Sequence, residues 1–162
     1  MKLLGAALVF AGALYAFFLH RQRELCTLRL GRTLVRDLAV LKSGICIYRK
    51  TIPSLCDNDL KNSPDSECFW NSVRELLAKG ELTLQESWER AAETLPPVWG
   101  ARLMPLGSLL SGGGALLANA IDEVREELLS DLRAEEGKLS ASLRLSGALY
   151  LSGACLVVLV LA

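Results

Sequence analysis

The sequence predicts an all-α chain: two terminal transmembrane helices flanking a cytoplasmic antiparallel helical bundle. Three observations predict it. Residues 3–19 (LLGAALVFAGALYAFFL) and 145–162 (LSGALYLSGACLVVLVLA) carry no charge. The residues between them repeat apolar side chains at helical spacing, and no stretch alternates apolar with polar as a half-buried strand would. The expected division is an N-terminal transmembrane helix over 1–20, a soluble helical bundle over 21–143 and a C-terminal transmembrane helix over 144–162.

At about 1.5 Å of rise per residue the two uncharged runs span roughly 26 and 27 Å, within the range of bilayer-crossing segments. A helix satisfies its own backbone groups and can therefore sit in lipid. The rival for the first run is a cleaved signal peptide with Lys2 as its basic start. The run is long for that role, and it ends in Phe17, Phe18, Leu19, His20 and Arg21, without a small-x-small cleavage site. The rival for the second is a buried core helix. A run apolar on all faces needs a large core around it, and the residues between the two runs are few for that.

Positive charge near the membrane ends sets the expected orientation. On the middle side stand Arg21, Arg23, Arg29, Arg32, Arg36, Arg133, Lys138 and Arg144, against Lys2 and the amino terminus on the other. The middle region is expected in the cytoplasm and both termini outside. Five cysteines are present (Cys26, Cys46, Cys56, Cys68, Cys155), with no C-x-x-C. They read as free buried thiols in a reducing compartment; a Cys56–Cys68 disulfide would instead put the middle region outside.

The middle region reads as successive helices. Leu34, Leu38, Leu41, Ile45 and Tyr48 fall at helical spacing, so the first helix is expected to run to about Arg49, ended by Thr51-Ile52-Pro53. Residues 57–66 are polar and loop-like, with Ser63 as N-cap and Pro64 at the first helical position. Phe69, Trp70, Val73, Leu76 and Leu77 form one apolar face, and Gly80 stops that helix. Thr83-Leu84-Gln85-Glu86 matches a capping box and starts a helix with Leu84, Trp88, Ala91 and Leu95 inward, ending at Pro96-Pro97. A short helix holds Trp99, Leu103 and Leu106. Gly112-Gly113-Gly114 reads as a break or hinge. Leu117, Ile121, Val124, Leu128 and Leu132 then form a stripe on a helix expected to run through Gly137 into the second anchor.

The residue types exclude most chemistry. The single histidine, His20, leaves no E-x-x-H for a di-iron bundle, no zinc spacing and no second histidine for nucleophile–base catalysis. The triple glycine lacks the Lys-Ser/Thr of a phosphate loop and follows no strand. Paired acids such as Glu126–Glu127 read as a solvated face. The reading is a protein that is not an enzyme, with no cofactor, no metal and no small-molecule substrate. Charge is uneven. Residues 20–50 hold eight basic and two acidic side chains, a difference of +6, and residues 57–142 hold eight basic and sixteen acidic, a difference of −8. The acidic remainder disfavours nucleic acid. The arginines Arg21, Arg23, Arg29, Arg32 and Arg36 suit either an anionic membrane surface or an ordinary solvated helix face. Gly12 with Ala16, and Ala148 with Ser152, are small pairs at four-residue spacing. They either let membrane helices approach closely or reflect the composition of such segments.

The layout resembles the stage III sporulation protein AB family of endospore-forming bacteria, a reduced relative of the type II secretion F platform proteins. The likeness covers nearly the whole chain. An N-terminal anchor is followed by a basic helix, then by Ile45-x-x-Tyr48 with Pro53 and Leu55. Phe69-x-x-x-Val73 precedes a capped helix ending in Glu86-Ser87-Trp88. Leu106-Gly107 opens a region rich in Leu-Gly in the family, and Arg144 leads into a Gly-containing anchor. The family's second Leu-Gly and the Asp and Gln after it fall where this chain has residues 111–117, so contacts made through those two residues do not carry over. The resemblance implies a type II secretion F-like fold and a non-enzymatic role in a channel complex joining mother cell and forespore. It implies partners among a cytoplasmic secretion-type ATPase and other sporulation channel subunits, and a place in the mother-cell membrane around the forespore. Tyr48, Pro53, Trp88 and Gly107 would be structural.

Overall fold

A computed structural model describes the backbone of residues 2–60, 63, 65–110 and 114–161. It describes side chains outside residues 1–10, 13, 14, 16, 20, 61, 62, 64, 111–115 and 143–162. The described chain is all-α, with no strand among the described residues. It divides into two compact units, one of Arg29–Leu132 and one of Met1–Leu28 with Arg133–Ala162.

The helices are α1 (Lys2–Cys46), α2 (Ile52–Asn58), α3 (Glu67–Lys79), α4 (Leu84–Glu93), α5 (Pro97–Leu103), α6 (Leu106–Leu109) and α7 (Gly114–Leu161). The expected stops hold where local chemistry sets them. Gly80 ends α3 with φ of 67°, a left-handed conformation that glycine adopts without a Cβ clash. Thr83 and Glu86 form the reciprocal capping box that starts α4. The stripe Leu117, Ile121, Val124, Leu128 and Leu132 is buried throughout, and α7 continues through Gly137 as expected.

Four boundaries differ. α1 ends at Cys46, where Arg49 turns the chain with φ of 50°, so Tyr48 is 68% exposed rather than in line with Leu41. Pro53 lies in the first turn of α2. The polar residues 57–59 hid that helix, which buries Ile52, Leu55 and Cys56 on one side. α3 begins at Glu67 with Ser66 as its N-cap, three residues after the expected Ser63; Pro64 lies outside the described residues. Trp99, Leu103 and Leu106 are all buried, but α5 ends at Leu103 and Leu106 opens α6. Gly112 and Gly113 lie outside the described residues, and α7 starts at Gly114.

The core of Arg29–Leu132 is built on Trp70, Trp88 and Trp99, each almost wholly buried. Phe69 meets Trp70 and Trp88 edge-on at ring distances of 4.8 and 5.2 Å, and Trp70 meets Trp88 at 5.8 Å. Burying each such side chain stabilises the fold by about 1.5–3 kcal/mol. α4 sits centrally, packed on α3, α5 and α6. Within this unit α1 and α7 run antiparallel, because Gly31 lies beside Leu132 while Lys42 pairs with Asp122. Gly31 permits that approach: a Cβ there would stand 2.7 Å from the Trp99 ring and 2.9 Å from Leu132.

Among the described residues no helix is long and apolar enough to cross a membrane. The two expected anchors fall largely on side chains outside that description. Where α1 is described in that stretch, Tyr15 and Phe18 are 65% and 59% exposed and Leu19 is exposed as well.

Candidate functional site

The most elaborated polar feature is the helix that carries the arginines. Leu34, Asp37, Leu38 and Leu41 fall at i, i+3, i+4 and i+7 on α1, so Asp37 sits on the apolar stripe. It is only 2% exposed. Its carboxylate accepts three hydrogen bonds: Ser63 Oγ donates to Oδ1 at 2.7 Å, while Ser66 Oγ (2.5 Å) and Trp70 Nε1 (2.7 Å) donate to Oδ2. A buried carboxylate is costly unless its lone pairs are satisfied in this way. The three donors come from the α2–α3 connection and the first turn of α3. One side chain therefore fixes the rotation of α1 against α3 and the depth of Trp70.

That rotation decides what faces outward. At about 100° per residue, Arg29, Arg32 and Arg36 share one flank of α1, away from Leu34, Leu38 and Leu41. All three are exposed. Arg21 and Arg23, in the other unit, are exposed as well. Lys42 pairs with Asp122, and Lys50 with Asp59 at 2.7 Å. The chain's own acids thus take up Lys42 and Lys50. Among the described residues Arg29 and Arg36 have no carboxylate in salt-bridge range.

Of the four residues singled out by resemblance, the structure brings two together. Trp88 is fully buried, and its Nε1 donates to the Leu103 carbonyl at 2.7 Å. Gly107 packs on it, so that a Cβ at position 107 would meet the Trp88 ring at 3.2 Å. Tyr48 stands outside that contact, with Lys50 Nζ 5.9 Å from its ring centre, and Pro53 opens α2 on the surface. Of the small pairs, Gly12 is exposed, and among the described residues nothing lies within 4 Å of where its Cβ would be. Ala16, Ala148 and Ser152 lie outside the described side chains.

Arg102 on α5 reaches across to α7, donating from Nε to Asp131 and from Nη1 to Glu127, both at 2.9 Å. The Asp131 hydrogen bond, then the two negative charges, hold the guanidinium even more firmly protonated than usual. Sequence reading placed Glu127 on a solvated face; with Asp131 it is the receptor for this arginine. Cys26, Cys46, Cys56 and Cys68 are all free thiols. Cys56 alone among them is buried, which corrects the expectation of buried thiols for the other three. Burial, then the neighbouring Asp57 charge, pushes its thiol up to about 11. Cys155 lies outside the described side chains.

A shallow groove between α3 and α4 is lined by Glu75 and Glu93 together with Lys79 and Arg90. Its mixed charge selects neither an anion nor a cation. Among the described residues no group of three histidine, cysteine or acidic side chains is placed to hold a metal ion. No protein-family model matches the chain, and neither a curated protein nor a solved structure shows significant similarity to it.

The feature that sequence reading missed was Asp37. In the charge balance it is only one of two acids, with Glu24, opposing eight basic residues. Its position between Leu34 and Leu38 on the same stripe was the available signal. The identity of its donors, 26 to 33 residues away, was not.

Proposed function

We propose that the chain is a non-enzymatic membrane platform: a helical bundle held at the cytoplasmic face by transmembrane helices at both ends. The observation that carries this reading is the outer face of α1. Large apolar side chains at Tyr15, Phe18 and Leu19 are exposed to solvent, and exposed arginines follow at once at Arg21 and Arg23. An apolar cylinder closed by a cationic collar suits a helix leaving a bilayer on its positive, cytoplasmic side. The uncharged run 145–162 supplies the second anchor. By resemblance, the platform belongs to a secretion-like channel complex between mother cell and forespore. There it docks a cytoplasmic secretion-type ATPase and membrane partners without catalysing a reaction itself.

In an endospore-forming host, deleting the gene is expected to leave vegetative growth normal and to block sporulation after engulfment. Heat-resistant spores at the parental level would sink the sporulation assignment. Co-purification with the ATPase tests the docking claim separately.

A second reading is favoured by the exposure of Arg29, Arg32 and Arg36 on one flank of α1. A surface adaptor would use them to bind anionic lipid, with each charge worth roughly 1 kcal/mol at the surface. It predicts salt-sensitive binding to vesicles containing phosphatidylserine, weakened by Arg29→Glu with Arg32→Glu. Binding that ignores those reversals removes this reading and leaves the platform untouched.

A further inference from the structure

Between Glu93 and Asp122 the chain has a single charged residue, Arg102. α5 and α6 lie in this stretch. Their inward residues Trp99, Gly100, Leu103, Leu106, Gly107 and Leu110 are buried. Their outward residues are apolar or small too: Pro97, Val98, Ala101, Met104, Pro105, Ser108 and Leu109, all exposed. The outward set follows helical spacing from 97 to 109, and the backbone bonds Met104 N to Gly100 O and Gly107 N to Met104 O keep the turns in register. Arg102, the one charge that could have kept this surface polar, is held sideways against Asp131 and Glu127 on α7. A helix without a polar face is ordinarily covered on every side. Among the described residues one side here is not: Val98 is 45% and Met104 38% exposed.

The geometry points to a two-fold self-association surface: the outward face of α5 and α6 of one copy packs on the same face of a second copy. Three considerations select that occupant. A two-fold contact sets each residue near its own counterpart, so it tolerates no clustered like charge, and this face has none. Interface centres are depleted of charge and enriched in methionine, as Met104 and its neighbours are. Helices that lie on lipid carry lysines and arginines around an aromatic or leucine-rich face, but Trp99 points inward and Arg102 is occupied. The seven residues offer on the order of 500 Å² per copy, about 1,000 Å² in total, below the range of stable specific interfaces and within that of weak, transient ones. The association is therefore weak and concentration-dependent rather than obligate.

The test attaches a polarity-sensitive dye to an Ala101→Cys variant in which Cys26, Cys46, Cys68 and Cys155 are serine. Emission is followed over a 100-fold range of protein density, in phosphatidylcholine vesicles if the chain floats with them and in buffer if it does not. A blue shift that grows with density, weakened at least tenfold by Met104→Asp with Leu109→Asp, is the expected result. The same dye on an Ala78→Cys variant, on the exposed end of α3, should not respond. A blue shift independent of density means that lipid or the chain itself covers the face, and no shift means that nothing does. Either outcome overturns the inference. Unchanged circular dichroism in the aspartate variant shows that its loss is not unfolding. Failure to float would sink the membrane reading alone.

Discussion

Replacing Asp37 tests the hydrogen-bond accounting behind the orientation of α1. Asp37→Ala strands three donors. Ser63 is half-buried and can turn to water, but Ser66 and the Trp70 indole are buried and cannot. Each stranded buried donor costs about 1–3 kcal/mol, so the expected loss is roughly 2–6 kcal/mol, a large share of a typical domain's stability. Asp37→Asn behaves differently. Its carbonyl oxygen can take the place of Oδ2 and keep both Ser66 and Trp70. Its amide then faces Ser63, whose hydroxyl can accept as readily as donate. The expected loss is about 1 kcal/mol or less. Urea titration of the full-length protein, followed by emission of the three buried tryptophans, separates the two substitutions. Equal losses would show that the carboxylate's charge, not its hydrogen bonds, holds the cluster. An alanine variant losing under about 1 kcal/mol would refute the cluster's structural role altogether.

Three further outcomes follow from the same geometry. Thr83→Ala should cost about 1 kcal/mol. The Thr83 backbone N–H, and after it the Thr83 hydroxyl, hold Glu86 below its ordinary value of 4.5. Its contribution to the cap is therefore complete above that pH and fades as pH falls through the lowered value, so the gap between the thermal melts of wild type and variant should narrow in acid, leaving the part due to the bond from the Glu86 N–H to the Thr83 hydroxyl. In a Cys155→Ser variant, Cys26, Cys46 and Cys68 should react readily with a thiol reagent near neutral pH. Cys56, raised from 9.0 to about 11, should hold about 100-fold less thiolate than an ordinary cysteine and react only on unfolding; fast modification of four thiols would contradict its burial. Gly31→Ala should destabilise by about 1–3 kcal/mol, since its Cβ meets a packed Trp99 ring. Gly137→Ala, with nothing within 4 Å among the described residues, should stabilise by about 0.5–1 kcal/mol; denaturation midpoints that move in the same direction would refute the packing account.

Local chemistry was legible in the sequence and long-range chemistry was not. Gly80 and the Thr83–Glu86 box act within one turn, so their residue types suffice to place them. The α7 stripe was legible because five apolar residues keep one period. Tyr48 kept that period too, yet α1 stops at Cys46, where Arg49 takes a conformation that non-glycine residues seldom adopt and that nothing local announces. α2 was missed because Asp57, Asn58 and Asp59 dominate its end, although Ile52, Leu55, Cys56 and Leu60 keep an i, i+3, i+4, i+8 pattern. Asp37 shows the limit most plainly: its place on the stripe could be read, but not that Ser63, Ser66 and Trp70 would converge on it.

The two ends of the chain decide whether it is a membrane platform. Alkaline carbonate extraction of membranes from cells producing the full-length protein is the direct measurement. The platform reading predicts that the chain stays in the membrane pellet, and that removing residues 1–20 and 144–162 releases the remainder. Full-length protein extracted into the supernatant would contradict it.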